Sequence, residues 1–310
     1  MTSPGKTPLV QIGNIYAKLE CGNPTGSIKD RIAHYIIDES ERLGLLKPGM
    51  RVVEATSGNT GIALGAYCRK KGYPVTIVMP ENMTEERKDL MRSLGVDLVL
   101  CSKEGSFAEA ATIRNGLAEK DGYFNPDQFS NPLNVECHRL TTGKEILGAL
   151  DGVVPEISCF VAGIGTGGTI IGVAQALRER FPDVRIVSVE PTESAVMTGG
   201  CVGVHSIGGI GDGFIPTIAG DGKGGINPAI DEVICVSTEE AIENAELLRE
   251  EHGFCIGVSS GANFAAARQL SKRFPNVVTV FADGYVKYVT QGLKVDCRRR
   301  CPHMTDRCHA

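Results

Sequence analysis

From residue 51 onward, short runs of β-branched and apolar residues alternate with stretches carrying the 3.6-residue period of an amphipathic helix. RVVEA (51–55) precedes a helix expected over about 60–71. PVTIVMP (74–80) precedes one over about 85–94, and DLVLC (97–101) follows. The second half repeats the theme: EISCFVAG (156–163), a helix over about 169–181, then RIVSVEP (185–191). EVICVS (232–237), the helical TEEAIENAELLREEHG (238–253) and VVTVFAD (277–283) complete it. Strands that are apolar along most of their length are covered on both faces, and strand–helix alternation with short loops builds parallel βαβ units. The expected fold class is α/β, with two doubly wound domains around mainly parallel sheets.

Composition narrows the functions such a fold could carry. The 310 residues are 42% hydrophobic, enough for a sizeable core. A formal charge of −5 and a pI near 5.8 leave no electrostatic footprint for nucleic acid. No apolar run reaches the roughly eighteen residues of a membrane span, and the N-terminal MTSPGKTPLVQIG lacks a charged-then-apolar signal pattern, so a cytoplasmic location is expected. Of eleven cysteines, eight are scattered singly through apolar surroundings, as small buried thiols usually are. The other three, Cys297, Cys301 and Cys308, crowd the tail 297-CRRRCPHMTDRCHA-310.

Several junctions carry chemistry. In 23-NPTGSIKDR-31, Pro24, Thr25 and Gly26 break regular structure, Ser27 suits a helix N-cap, and Lys29 falls in the first helical turn. The helix dipole disfavours a cation there by roughly 0.3–1 kcal/mol, so the position suits either a surface lysine with a nearby ion-pair partner or one whose amine is wanted neutral. The loop 163-GIGTGG-168, between a strand and a helix, satisfies G-x-G-x-x-G, with Glu190 near the spacing of a ribose-binding acid, so a dinucleotide enzyme is a rival. Successive glycines at a helix N-terminus point more generally to phosphate, and a purely structural turn stays open. Loops 56-TSGNTG-61 and 257-GVSSGAN-263 occupy equivalent strand-to-helix junctions; the first could hold a carboxylate, and each alone is equally a cap. The stretches 125-NPDQFSNPLN-134 and 207–228 are rich in Pro and Gly, and the second is too long for a plain connection.

The ordered set NPTGSIKDR, EATSGNTGIAL, DQFSNPLN, GIGTGGT, GIGDGFIP and GVSSGA resembles the pyridoxal-phosphate-dependent cysteine synthases (O-acetylserine sulfhydrylases) and their cystathionine β-synthase relatives. The likeness runs from about residue 6 to about residue 290 and outweighs the single dinucleotide fingerprint. It implies the tryptophan-synthase-β-like architecture of fold type II. Residues 1–36 and 136–293 would form a large cofactor-binding domain, 37–135 a small mobile domain with the substrate-carboxylate loop, and 294–310 a Cys/Arg-rich tail.

Carried over by motif, Lys29 is the Schiff-base lysine and proton-transfer base. Gly165, Thr166, Gly167, Gly168 and Thr169 cradle the cofactor phosphate, Asn59 meets the ring hydroxyl oxygen, and Ser259 meets the pyridine nitrogen. Thr56, Ser57, Thr60 and Gln128 hold the substrate's α-carboxylate. A serine at the ring nitrogen does not keep it charged as an aspartate would, which weakens the electron sink and favours loss of a β-substituent over transamination. The implied reaction is β-replacement that makes L-cysteine from O-acetyl-L-serine and sulfide. The resemblance also implies a homodimer and, as in some members, a complex with serine acetyltransferase.

Two departures stand out. Asp212, in GGIGDGFIP, occupies a position where sulfide-using members usually carry a small apolar residue. A carboxylate there could hold the ammonium of a second amino acid, which points alternatively to serine or cysteine as first substrate and to cystathionine, lanthionine or hydrogen sulfide as product; equally, it could face solvent and do nothing. The family's Pro-Asp-Ser-Gly segment appears here as 282-ADGYVKY-288. His34, His138, His205 and His252 fit no acid–base pair and read as surface or core residues. In the tail, C-x₃-C and C-x₆-C spacings do not match the common zinc knuckle, so no metal is assigned, although thiolates beside three arginines would suit metal binding or disulfide exchange.

Overall fold

The computed structural model describes residues 3–56, 58–103 and 106–285. Ser57 and the three tail cysteines fall outside the described residues. The chain divides into two compact units, one formed by the residues up to Ile28 together with those from Asn134 on, the other by Lys29–Leu133.

The larger unit is built on a six-stranded sheet. Its strands are β1 (Leu9–Ile12), β2 (Ile15–Leu19), β7 (Cys159–Gly163), β8 (Arg185–Pro191), β9 (Glu232–Val236) and β10 (Val277–Phe281), in the order β1-β2-β10-β7-β8-β9. Only β1 pairs antiparallel among the described strands of this sheet, with Leu9 opposite Lys18. The side chains sort with period two, as the pleat requires. Ile15, Ala17, Val161, Val187 and Val277 enter one apolar core with residues of helices α8 (Thr238–His252) and α9 (Val258–Leu270). Tyr16, Phe160, Ala162, Ile186 and Val278 enter a second core with helices α6 (Lys144–Leu150) and α7 (Gly168–Arg178).

The smaller unit repeats the plan on four parallel strands: β3 (Arg51–Ala55), β4 (Val75–Pro80), β5 (Asp97–Cys101) and β6 (Tyr123–Phe124), in the order β5-β4-β3-β6. Val52, Val75, Ile77 and Met79 pack with residues of α1 (Lys29–Arg42), α2 (Asn59–Lys71) and α3 (Glu85–Ser93). On the other face, Val53, Ala55 and Val78 pack with Ala110 of α4 (Ser106–Ala118). Both units are thus doubly wound, each with helices on both faces of its sheet, as the alternation predicts.

Helix ends follow local chemistry. Ser237 accepts the Glu240 N–H at 3.1 Å to open α8, and Gly253, at φ 73°, closes it in the left-handed conformation. Before α1, Gly26 takes φ 76°, the Ile28 N–H donates to the Ala282 carbonyl at 2.8 Å, and Ser27 bridges to Asp283. The chain leading to Lys29 is therefore anchored to the end of β10, and Lys29 is the first residue of α1.

Candidate active site

The junction of β7 and α7 is shaped by close packing. A Cβ on Gly165 would overlap the carbonyl oxygen of Gly209, one on Gly168 would overlap the Asn134 amide, and one on Gly167 would lie 2.9 Å from the Ala219 Cβ. Gly167 also sits at φ 87°, where side chains are strained. The neighbouring hydroxyls are held from a single short helix, α5 (Pro132–His138): Asn134 Nδ2 donates to Thr166 Oγ1 at 3.0 Å, and His138 Nε2 lies 3.2 Å from Thr169 Oγ1. His138 Nδ1 meets Thr142 Oγ1 at 2.9 Å, inside a π-helical turn over Arg139–Gly143. Beneath the loop, Asn263 Oδ1 accepts the Gly163 N–H at 2.7 Å while its Nδ2 donates to the Val280 carbonyl.

This arrangement fits a phosphate. The first amides of a helix lack intrahelical acceptors and sit at the positive end of the dipole, where an anion is favoured. Threonine hydroxyls add donors at Thr166 and Thr169. The rival reading of Glu190 as a ribose-binding acid does not survive. This carboxylate is buried and spent on the chain's own turn, accepting the N–H groups of Met197 and Thr198 and the Thr198 hydroxyl.

The two serines of GVSSGAN lie in the first turn of α9, both buried. Ser260 Oγ accepts the Ala282 N–H at 3.0 Å, which ties it to the end of β10. Ser259 precedes it, with Gly257 at the N-cap.

In the smaller unit, the junction of β3 and α2 relies on side chains instead. Thr60 donates to Gln128 Oε1 at 2.6 Å, so the two expected substrate contacts, 68 residues apart in sequence, meet directly. Gln128 Nε2 reaches the Ala55 carbonyl at 3.3 Å, and Thr56 Oγ1 accepts the Gly58 N–H at 3.4 Å. Thr56, Thr60 and Gln128 are buried, whereas Asn59, which opens α2, and Lys29 are half-buried. Behind Gln128 stands Glu54, a carboxylate with no exposure; burial pushes its pKa up to about 7 against the pull of Arg114. The supporting contacts of Glu54, Asn134 and His138 are not legible in the sequence. A strand glutamate and a lone histidine carry no local signal, and only the meeting of α5 with α7 shows what His138 touches.

A polar junction on a parallel β-sheet and a glycine cradle for phosphate at a helix start, following a lysine placed at the first residue of another helix, define a class: enzymes that work through a phosphorylated cofactor. The model of the pyridoxal-phosphate dependent enzymes matches residues 1–283, and the chain belongs to that family. It is 42% identical to a cysteine synthase of Staphylococcus aureus over 301 residues, covering 93% of this chain and 94% of the relative. Among solved structures it is similar to a hydrogen sulfide-producing enzyme from Fusobacterium nucleatum, at TM-score 0.88 and 37% identity, covering 96% of this chain and 91% of that one. It also resembles an O-acetylserine dependent cystathionine β-synthase from Helicobacter pylori, at TM-score 0.87 and 35% identity, covering 94% of this chain and 97% of that one. The cofactor is pyridoxal phosphate, and the architecture is that of fold type II.

Proposed function

We propose that the chain is a transferase of cysteine biosynthesis that makes L-cysteine from O-acetyl-L-serine and sulfide by β-replacement. The observation that carries this reading is the 42% identity with a cysteine synthase along nearly the whole of both chains. Lys29 would hold the cofactor's aldehyde carbon and then move the α-proton of the substrate with its freed amine. Gly165, Thr166, Gly167, Gly168 and Thr169 would hold the phosphate, Asn59 the ring hydroxyl oxygen, and Ser259 the ring nitrogen; Ser260, already engaged with Ala282, is the less suited of the pair. Thr56, Thr60 and Gln128, with Ser57, would bind and orient the α-carboxylate. The cofactor supplies the electron sink for β-elimination and addition. Residues 1–36 and 136–293 would act as the cofactor-binding domain, with 37–135 as the mobile one.

A second reading has Asp212 in its favour. This residue is exposed on a loop whose backbone packs against the phosphate loop, since the Gly211 N–H donates to the Ile164 carbonyl at 3.0 Å and Gly209 abuts Gly165. A carboxylate so placed would favour an amino-acid nucleophile, with serine or cysteine as first substrate and cystathionine, lanthionine or hydrogen sulfide as product. The similarity to a hydrogen sulfide-producing enzyme supports it.

Incubating the cofactor-loaded protein with O-acetylserine plus sulfide, with cysteine alone, and with serine plus homocysteine separates the readings. Cysteine formation fastest from the first pair is expected; rapid sulfide release from cysteine with no product from O-acetylserine would reverse the order. Lys29→Ala should abolish turnover and the visible absorbance of the lysine-bound cofactor, and full turnover in that variant would remove the assignment. We place the enzyme in the cytoplasm as a homodimer, with serine acetyltransferase as a candidate partner. No helix among the described residues is long and apolar enough to cross a membrane. Sedimentation as a monomer at working concentration would refute the dimer.

A further inference from the structure

Burying a carboxylate is costly unless donors satisfy it, so the surroundings of Glu54 indicate what it is for. Among the described residues its partners are all donors: the Ala55 N–H to Oε1 at 2.9 Å, Arg114 Nη1 to Oε1 at 3.1 Å, and the Gln128 N–H to Oε2 at 3.0 Å. The Arg114 nitrogen also reaches Asn125 Oδ1 at 3.2 Å and Asp127 Oδ1 at 3.1 Å, and Asn125 Oδ1 accepts the Asp127 N–H at 2.9 Å. Gln128 Nε2 then returns to the Ala55 carbonyl. A closed ring results, running from Glu54 through Ala55 and the Gln128 side chain to the Gln128 backbone and back to Glu54. It welds the end of β3, just before Thr56, to the turn 125–128.

We propose that Glu54 is a positioning residue for substrate recognition, which with Arg114 holds Gln128, and through it Thr60, as a preformed part of the receptor for the amino acid's α-carboxylate. The inference rests on the reading that Thr56, Thr60 and Gln128 bind that carboxylate. Its physical basis is preorganisation. A receptor assembled before the ligand arrives spends no affinity on ordering its parts, and the seat of Gln128 is set by the groups behind it. A purely structural ion pair would affect stability without distinguishing substrate binding from turnover.

The test uses the cofactor-loaded full chain as Glu54→Gln, Gln128→Ala and the double variant, titrated with O-acetylserine and with cysteine. Binding is read from the cofactor's absorbance, beside kcat and KM. Glu54→Gln should raise the half-saturating amino-acid concentration about tenfold, within the range typical of residues supporting a binding group. It should change kcat less than twofold and leave the absorbance without amino acid unchanged. In the Gln128→Ala background the same substitution should add less than a further twofold, because it acts through Gln128. In the cofactor-free protein, amide exchange at Gln128 should speed up at least tenfold on Glu54→Gln, the loss of one hydrogen bond's protection. If Glu54→Gln fails to fold, Glu54→Asp, which keeps the charge facing Arg114 but withdraws it from Gln128, should give the same KM shift. An unchanged KM in these variants while Gln128→Ala weakens binding overturns the inference alone, as does an equal effect in both backgrounds. An unchanged KM in Gln128→Ala overturns the carboxylate reading itself.

Discussion

The β7–α7 junction and the β3–α2 junction occupy the same place in two doubly wound sheets, yet they are made from opposite materials. The first is shaped by what it lacks: three glycines pressed against the Gly209 carbonyl, the Asn134 amide and Ala219, with backbone amides as its donors. The second is shaped by side chains, and a buried carboxylate, Glu54, organises them. The lesson is that an anion site built from backbone can be held rigid by close packing, whereas one built from side chains needs a supporting network. The first kind of site fails by steric intrusion, the second by loss of a partner or a change of protonation.

The contrast breaks most visibly at the glycines. Gly165→Ala would push a methyl group into a backbone carbonyl that has no side-chain torsion to yield, and we expect about 1–3 kcal/mol of destabilisation together with loss of bound cofactor. Thermal unfolding and the cofactor absorbance report both, and a variant that keeps its cofactor and its unfolding temperature would show that the cradle is looser than its geometry.

The polar junction should answer to pH instead. The pKa of Glu54 is raised from 4.5 to about 7, burial being the main cause and Arg114 and Asp127 the charges that face it. The folded state therefore holds the proton over a range where the unfolded chain has released it. This contribution to stability is present below about 4.5 and is lost as pH rises through about 7. Denaturant midpoints measured across that window should fall less steeply in Glu54→Gln than in the parent, and identical slopes would refute the assignment.

His34 gives an opposite dependence in the same unit. It stacks on Tyr67 with ring centroids 3.5 Å apart, and its pKa is lowered from 6.5 to about 4, chiefly by burial. Here the unfolded state binds the proton first, so stability is lost as pH falls from about 6.5 towards about 4. His34→Phe should flatten that limb of the curve. A limb of unchanged slope would mean that His34 takes no part in it.

The smallest effect belongs to a glycine without a neighbour. Gly148 lies inside α6 with nothing within 4 Å of where an added methyl group would stand, so Gly148→Ala should stabilise by about 0.5–1 kcal/mol. A loss of stability there would show that glycine content alone, rather than close approach, explains the sensitivity expected at Gly165.

Legibility in the sequence follows the range of the interactions. β3 and β8 coincide with RVVEA and RIVSVEP because a buried parallel strand writes its own apolar run, and the edge strand β5 coincides with DLVLC although it is only partly buried. β2, IYAKL, carries no such signal: a lysine near its end argues against a buried strand until Glu145 pairs with Lys18 at 2.8 Å, and its pairing partner β10 lies some 260 residues downstream. The same holds at the site. Turn-forming and glycine-rich motifs announce themselves locally, so the glycine loop 163–168 and Lys29 stand out. Glu54 looks like any strand residue until the turn 125–128 folds back upon it, and His138 meets Thr169 only where α5 lies against α7, so closely that a Cβ on Gly172 would lie 2.8 Å from the Arg139 nitrogen.

The loop bearing Asp212 has one further consequence. Gly209, Gly211 and Gly213 all take positive φ, at 94°, 69° and 83°, and Ile210 between the first two is buried so closely that a Cβ on Gly163 would lie 2.7 Å from its Cγ2. The path of the chain is therefore set by its glycines and by Ile210, while residue 212 stands exposed between two of them. Such a position is an evolutionary dial. A substitution there changes the charge beside the β7–α7 junction on a path already held by the glycines around it, which gives relatives that share one scaffold a place at which to vary.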